Sequence, residues 1–179
     1  AEEVYYGKNI RYRIDNLETL TRAEATFEWV ATPFEVTNTN DSGEGSLRQA
    51  MINAKFNEGL NTITFALPGI PGEAHSIQLS SPLPEITDPI IIDATSQVGY
   101  AGAPLVEIDG QSMGSAGLFL KPGSEGSTVQ GLSLTNFGNA FRDRSRGGNL
   151  VQLNYFGLRP DGVSPAGNGV GIAIQFSPE

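Results

Sequence analysis

The sequence of 179 residues contains no cysteine and a single histidine, His75. The absence of cysteine excludes disulfides, thiol nucleophiles and thiolate zinc sites. His75 has no nucleophile motif or second metal ligand at a useful spacing, so we expect it to be a surface or strand-edge residue. Basic residues are also few, with 11 Lys and Arg against 20 Asp and Glu and a net charge of -9. This charge argues against nucleic acid as a partner.

Long apolar runs are missing as well. No run approaches the ~20 residues of a membrane-spanning helix, so we expect no membrane insertion. Instead, 22 Gly and 11 Pro divide the chain into short runs rich in Val, Ile and Phe. Runs of this kind are too brief for ordinary helices and predict successive β-strands. They read NTITFA, HSIQL, PIIIDA, PLVEIDG, GLFLK, STVQGLSL, NLVQLNYFGL and VGIAIQF.

One helix is predicted near residues 46–56, in the segment SLRQAMINAKF. Ser46 is suited to cap its first turn, and Gln49 is suited to return the bond as in a capping box. The apolar residues of the segment recur at helical spacing and would form a single buried face. These residues are Leu47, Ala50, Met51 and Ala54. Such a helix would cover the open apolar end of a stack of strands.

Internal repeats favour a solenoid over an antiparallel sandwich. LTNFG, which begins at Leu134, recurs 19 residues later as LNYFG, and Val-Gln precedes the two copies at 129 and 151. IIIDA and VEIDG form a second pair, which places Asp93 and Asp109 at positions that we interpret as equivalent. Variable spacing is expected when turns differ in length between coils. The candidate ladder residues, whose side chains would bond neighbouring turns, are Asn136 and Asn154, or Asp93 and Asp109.

Residues 36–65, VTNTNDSGEGSLRQAMINAKFNEGLNTITF, resemble the N-terminal cap of bacterial right-handed parallel β-helix repeat proteins. The matching motif is Gly-Ser-Leu-Arg-Gln-Ala at 45–50, followed by the strand at 61–65. Later segments up to about residue 175 are similar to that family's coils. The resemblance implies an all-β fold, a right-handed parallel β-helix with one N-terminal capping helix, related to pectin lyases. It also implies an exported or cell-surface protein, usually of unassigned activity.

Residues 1–33 lie outside this resemblance. Partial alternation of Tyr5, Ile10, Tyr12 and Ile14 predicts a strand, followed by a short helix or a second strand. We therefore predict an N-terminal extension over 1–33, suited to interact with a neighbouring copy, and a parallel β-helix over 34–179.

Enzymes of the parallel β-helix fold carry acidic clusters on one outer face. Asp93 and Asp109 are the candidates for such a pair, although each is also suited to cap its own turn, which we favour. Asp143 beside Arg142, Arg144 and Arg146 is a candidate contact for an anion or a uronate, against the alternative of a solvated loop, which we favour.

Two further groups of residues are candidates for ligand binding. The turn Asn40–Gly45 is rich in oxygen ligands but matches no EF-hand, and helix capping explains it without Ca²⁺. The aromatic residues are candidates for a sugar-stacking face, with at least half of them expected in the core. They are Phe137, Phe141, Tyr155 and Phe156. We predict no catalytic, cofactor-binding or metal-binding residues, and keep Ca²⁺ as the alternative.

The absence of a catalytic constellation favours a noncatalytic, secreted or cell-surface module that acts in adhesion or self-assembly, as a subunit of a surface layer or fibre. The segment that ends in QFSPE matches no cap motif, so we expect self-association through coil ends or through residues 1–33. Glycans are further candidate partners. The alternative is a polysaccharide lyase or glycoside hydrolase of the pectin-lyase-like fold.

Overall fold

A computed structural model describes residues 34–175 and, before them, the strand residues 4–5, 10–11 and 28–29. The chain divides into two compact units, Ala1–Pro33 and Phe34–Glu179. The first unit contains a three-stranded antiparallel sheet in the order β1-β2-β3. Its strands are β1 (Val4–Tyr5), β2 (Ile10–Arg11) and β3 (Glu28–Trp29). The strand predicted around Tyr5 and Ile10 is thus present as two short strands, and Tyr12 lies outside the described residues.

The described part of the second unit consists mostly of strands. Its strands are β4 (Glu35–Val36), β5 (Asn61–Phe65), β6 (His75–Gln78), β7 (Ile90–Asp93), β8 (Val106–Leu120), β9 (Thr128–Gln130), β10 (Leu132–Asp143), β11 (Leu150–Gln152), β12 (Tyr155–Phe156) and β13 (Val170–Ile174). Across residues 34–175 there is one α-helix, α1 (Leu47–Lys55), and one 3-10 turn, Ala94–Ser96.

These strands form two five-stranded sheets in which every pairing is parallel. Sheet 1 has the order β11-β9-β7-β5-β4, and sheet 2 has the order β12-β10-β8-β6 with β13 also paired to β10. From β5 to β12 the chain passes alternately between the two sheets, so each new strand lies beside the strand two elements earlier. The predicted β-rich fold with parallel strands and a single helix is confirmed at this level.

The register between neighbouring strands corrects the repeat length read from the sequence. Val129 pairs with Val151 and Leu134 pairs with Phe156, both over 22 residues, the separation also bridged by Gln130 and Gln152. The Val-Gln pairs therefore give the 22-residue separation of paired residues between these strands. The 19-residue offset between LTNFG and LNYFG does not correspond to the strand pairing. The connections between strands vary in length, so a short motif repeat does not by itself fix the pairing.

Aliphatic side chains form columns that run across successive strands, as predicted for the core. In sheet 2, Ile77, Ile108 and Leu134 lie in register and are fully buried. In sheet 1, a second column of paired residues consists of Ile63, Ile92, Val129 and Val151. Residues of both columns belong to one continuous core. Burial of these columns supplies the main stabilising term of the fold.

Helix α1 covers β4 and β5 with the apolar face that its sequence predicts, since Leu47, Ala50, Met51 and Ala54 are all buried. The Ser46 hydroxyl accepts a hydrogen bond from the Gln49 backbone N–H at 3.2 Å. The reciprocal half of the expected capping box does not form, because the Gln49 side chain donates to Asn53 Oδ1 instead.

Asparagine side chains bond the backbone of the preceding strand layer. Asn154 accepts from the Leu132 N–H and donates to the Val129 carbonyl, both at 2.9 Å. Asn168 makes an equivalent pair with Phe137 N–H at 2.9 Å and Leu134 carbonyl at 2.8 Å. Each amide thus accepts from one backbone N–H and donates to one carbonyl of the neighbouring layer, and the Leu134 carbonyl also accepts from the Gly157 N–H at 2.9 Å.

The other predicted ladder residues behave differently. Asn136, at φ 58°, donates to the Asp109 carboxylate at 2.8 Å, a side chain rather than the backbone. Asp93 bonds within its own turn, to the Thr95 N–H at 2.9 Å. Of the four candidates, Asn154 alone has the predicted role, and Asp93 is wrong as a ladder residue.

We predict that Asn154→Ala lowers the free energy of unfolding by about 2 kcal/mol, because it removes the side-chain acceptor of the Leu132 N–H and a donor to the Val129 carbonyl. Urea unfolding followed by circular dichroism measures this loss. Gln152→Ala is the matched control, since the Gln152 amide makes one exposed bond to Gln130. Equal losses in the two variants would contradict a special role for the Asn154 amide.

Gly131 provides a test of how closely neighbouring layers approach. At its φ of 78°, an added Cβ would lie 2.7 Å from Thr95 N, whereas Gly126 has a φ of 82° with nothing within 4 Å. We expect Gly131→Ala to cost about 3 kcal/mol and Gly126→Ala about 1 kcal/mol, because only the first adds a backbone clash to the φ strain. Denaturation midpoints measure both, and a Gly126→Ala cost as large as that of Gly131→Ala would refute the close approach.

Candidate functional site

The two carboxylates proposed as a catalytic pair do not come together. Asp93 lies in sheet 1, where it pairs with Gln130, and Asp109 lies in sheet 2, where it pairs with Thr135. The hypothesis that they occupy equivalent positions is therefore wrong. It failed because apolar-apolar-Asp endings occur in strands of both sheets.

Each of these aspartates caps a turn, as the alternative interpretation expects. The Asp93 carboxylate accepts from the Thr95 N–H, and the Asp109 carboxylate accepts from the Gln111 N–H at 2.9 Å. Asp109 is 4% exposed. A carboxylate so enclosed by hydrogen bonds has a structural role.

Glu107, which the sequence did not single out, is the most enclosed carboxylate on sheet 2, with 3% exposure. It accepts from Thr135 Oγ1 at 2.8 Å and from Arg159 Nη1 at 2.8 and 3.0 Å. Arg159 is 52 residues away in the chain, so no local pattern signals the pair. This ion pair ties the segment that carries Arg159 onto β8, and its carboxylate oxygens are already occupied.

Two residues of the basic cluster, Arg142 and Arg144, lie close together beside sheet 2. Arg142 in β10 pairs with Phe119 in β8, and Arg144 directly follows the last residue of β10. The guanidinium carbons lie 4.9 Å (Arg142) and 5.8 Å (Arg144) from the centroid of the Phe119 ring, and Lys121 Nζ lies 4.5 Å from it. We call Phe119, Lys121, Arg142, Arg144 and Gln175 the cationic patch.

Gln175 completes this patch with a single oxygen. Arg142 Nη2 and Arg144 Nε both donate to Gln175 Oε1, at 2.9 and 2.8 Å. The backbone N–H of Gln175 donates to the Asp143 carbonyl at 2.8 Å, which holds the residue beside β10. The signal available in the sequence was the alternate spacing of Arg142 with Arg144 and of Phe119 with Lys121, which directs each pair to one face of a strand.

Asp143 does not neutralise these arginines. Its carboxylate accepts from the Ser145 N–H at 2.8 Å and the Asn149 amide at 2.9 Å, and the residue is 7% exposed. Burial raises the pKa of Asp143, but the hydrogen bonds from Ser145 and Asn149 outweigh it and hold the pKa below its usual value. The less favoured interpretation, in which Asp143 contacts an anion together with the arginines, is not supported, because this carboxylate is bound within its own turn. The favoured interpretation of a solvated loop does not describe Arg142 and Asp143 either, since both lie in β10.

The predicted turn at Asn40–Gly45 is held by an ion pair. Asp41 Oδ1 accepts from Arg48 Nη2 at 2.6 Å, and its second oxygen accepts from the Ser80 hydroxyl. Burial raises the pKa of Asp41, but the hydrogen bonds from Ser80 and Arg48 and the Arg48 charge outweigh burial and hold the pKa below its usual value. Arg48 also donates to the carbonyls of Ser81 and Pro82. Among the residues that the structure describes, no group of three or more His, Asp or Glu is arranged to hold a metal.

The aromatic candidates divide between core and surface. Phe137 and Phe141 are buried in the core, Phe156 packs partly against it, and Tyr155 is half-buried. Core positions for Phe137 and Phe141 agree with the expectation that at least half of the candidates are internal. The four residues do not form a stacking face. His75 begins β6 and is half-buried, with no partner for Nε2 among the described residues.

Strand β13 presents an open apolar edge. Val170, Ile172 and Ile174 continue the positions of Asn139, Phe141 and Asp143 across the sheet. Their exposed fractions are 45%, 44% and 57%, although Phe141, the partner of Ile172, is 1% exposed. In the described chain, β13 pairs with β10 alone, so its other edge has unpaired backbone groups. We call Val170, Ile172 and Ile174 the open edge.

No protein family model, curated protein or solved structure matches this chain. No helix in the described ranges is long and apolar enough to cross a membrane.

Asp143 makes the stability of the fold depend on pH. A carboxyl whose pKa is lowered by folding adds stability above its unfolded pKa of ~3.9, and this stability is lost as pH falls through the folded pKa. We therefore expect Asp143→Asn to be destabilising at neutral pH, with the difference from the wild type shrinking below about pH 4. Urea midpoints measured across this range test it. A difference that stays constant down to the lowest pH would be inconsistent with the lowered pKa.

Proposed function

We propose that this chain is a noncatalytic right-handed parallel β-helix module of a secreted or cell-surface protein, and that it self-assembles through the open edge. The observation that carries the proposal is the exposure of Val170, Ile172 and Ile174 on a strand with an unpaired edge. The architecture is supported by the alternation of the chain between two parallel sheets and by the resemblance of residues 36–65 to a β-helix cap. Parallel crossover connections are right-handed in almost all proteins.

A second copy of the chain is the occupant that suits this edge. The edge requires both backbone partners and aliphatic side chains in register, and a β-strand of the same kind supplies both. The open edge belongs to sheet 2. In sheet 1 the last strand is β4, and α1 packs against this strand. Pairing of two open edges would therefore produce a closed, symmetric dimer, which a larger surface assembly can use as its unit.

The enclosed carboxylates support a noncatalytic role over the lyase or hydrolase alternative. Glu107 and Asp109 are 3% and 4% exposed, and both accept hydrogen bonds from neighbouring residues. General acid–base chemistry requires a carboxyl group within reach of the substrate. The carboxyl groups of Glu107 and Asp109 could reach a substrate only if their hydrogen-bond partners were displaced.

Self-assembly is tested by a charge on the open edge. We expect the wild-type chain to form a dimer in a concentration-dependent manner, and Ile172→Lys to remain a monomer, because a lysine at a strand edge opposes pairing. Sedimentation velocity measures the two states. Ile70→Lys is the matched control, since Ile70 is 74% exposed but lies outside the strands.

Circular dichroism spectra that match the wild type would exclude misfolding of the variants. A wild-type chain that stays monomeric at the highest concentrations, or an Ile70→Lys variant that loses the dimer equally, would count against the proposal. A dimer that survives Ile172→Lys but is lost on removal of residues 1–33 would move the interface to the N-terminal unit.

A further inference from the structure

The cationic patch brings three positive side chains around one aromatic ring in a chain of net charge -9. Lys121 is paired with Glu85 at 3.2 Å, whose side chain is 53% exposed. Within the described part of the chain, no carboxylate pairs with Arg142 or Arg144, and both donate to the neutral amide oxygen of Gln175. Two adjacent guanidinium groups without an anion repel each other, so the arrangement is electrostatically incomplete.

The Gln175 oxygen shows where an anion would be bound. It lies 2.9 Å from Arg142 Nη2 and 2.8 Å from Arg144 Nε, which are the usual distances for hydrogen bonds from guanidinium groups to carboxylate oxygens. Gln175 is exposed, so a ligand can displace its side chain without opening the core. Arg142 Nε is enclosed and has no partner among the described residues, which leaves an unsatisfied donor in the same patch. An unsatisfied buried donor carries a free-energy cost that a bound acceptor removes.

The Phe119 ring acts as the platform of the patch. Lys121 Nζ and the Arg142 guanidinium lie 4.5 and 4.9 Å from its centroid, within the range of cation–π attraction. Because the cations occupy the ring, a ligand would contact the guanidinium donors and would not stack on Phe119. The patch consists of donors, so it selects a ligand rich in acceptor oxygens.

We propose that the cationic patch binds a carboxylate group of an acidic saccharide with widely spaced charges, with one carboxylate oxygen replacing Gln175 Oε1 between Arg142 and Arg144. Two observations favour such a ligand over a dense polyanion. The patch has only three cations, and the net charge of -9 repels nucleic acid or a sulfate-dense chain over longer distances. The hydroxyl oxygens of a saccharide supply the further acceptors that the remaining guanidinium N–H groups require.

The probe is a hexasaccharide of alternating glucuronate and N-acetylglucosamine, titrated into the full chain by isothermal titration calorimetry at low ionic strength. We expect binding by the wild type, and a roughly tenfold or greater loss for Arg142→Gln with Arg144→Gln, because two charge-assisted hydrogen bonds are removed. Gln175→Glu should weaken binding to a similar degree, since it supplies an internal carboxylate between the guanidinium groups. Gln175→Ala should keep or strengthen binding, because the competing acceptor is gone.

Lys55→Gln is the control for loss of a positive charge, because Lys55 is exposed at the end of α1 and is not a residue of the cationic patch. It should bind as the wild type does. The neutral N-acetylglucosamine hexamer should not bind, which would assign the interaction to the carboxylates. Thermal unfolding of each variant shows whether the fold is retained, and side-chain amide resonances of Gln175 should shift on saturation of the wild type.

The proposal is overturned if the wild type does not bind the glucuronate probe, or if Gln175→Glu and the double arginine variant bind as tightly as the wild type. It is also overturned if Lys55→Gln loses as much affinity, which would indicate diffuse attraction. Tighter binding of a single-stranded oligonucleotide or a heparin-like sulfated chain than of the glucuronate probe would show that the wrong ligand class was chosen. Gln175 directly follows the open edge, so the self-assembly state of each variant is measured separately from its saccharide binding. Loss of the dimer in Ile172→Lys with saccharide binding retained would separate the two proposals.

Discussion

The in-register stacking of parallel strands is the constraint on which the rest of this structure depends. Every strand layer must align its aliphatic residues with those of the previous layer, because a slip of one residue turns the whole column to the opposite face. The columns of Ile63 and Ile77 exist only while the ladder of backbone hydrogen bonds is maintained. Asn154 and Asn168 add side-chain hydrogen bonds to that ladder, from the turns to backbone groups of β9 and β10. The polar amides thus protect the register from which the apolar core follows.

The same alternation that builds the core also builds the cationic patch. Along β10, Phe141 and Asp143 are buried, whereas Arg142 between them is half-buried and meets Phe119 of the neighbouring strand. Parallel pairing brings Arg142 into the same row as Phe119 and Ala173. Gln175, two residues after Ala173, then reaches the guanidinium groups of Arg142 and Arg144. Charges that are dispersed in the sequence therefore become neighbours because of the register. A candidate binding surface of this kind requires no loop designed for it.

Local patterns predicted the elements well, and the register poorly. The segment SLRQAMINAKF contains a complete helical face and its capping serine, so α1 follows from residues within one turn of each other. The 22-residue register was obscured by the 19-residue motif repeat, since variable connections shift a motif without changing the pairing. Gly131 and Leu153 show the limit of prediction from local patterns. These residues directly follow the paired Gln130 and Gln152, and both have a positive φ, of 78° and 58°. Only the glycine indicates a positive φ in the sequence.

Long-range pairs lay beyond prediction for a related reason. Glu107 and Arg159 are 52 residues apart, and their ion pair depends on how the segment after β12 folds back over sheet 2. Gln175 likewise reaches Arg142 and Arg144 because β13 pairs with β10.

The dependence of Gln175 on the pairing of β13 links the two proposals physically. A second copy that pairs with β13 would restrain Gln175 against the guanidinium groups, and a ligand that displaces Gln175 would remove two of the bonds that hold the end of β13. Any such coupling must be reciprocal, so self-assembly through the open edge and saccharide binding at the cationic patch would oppose each other.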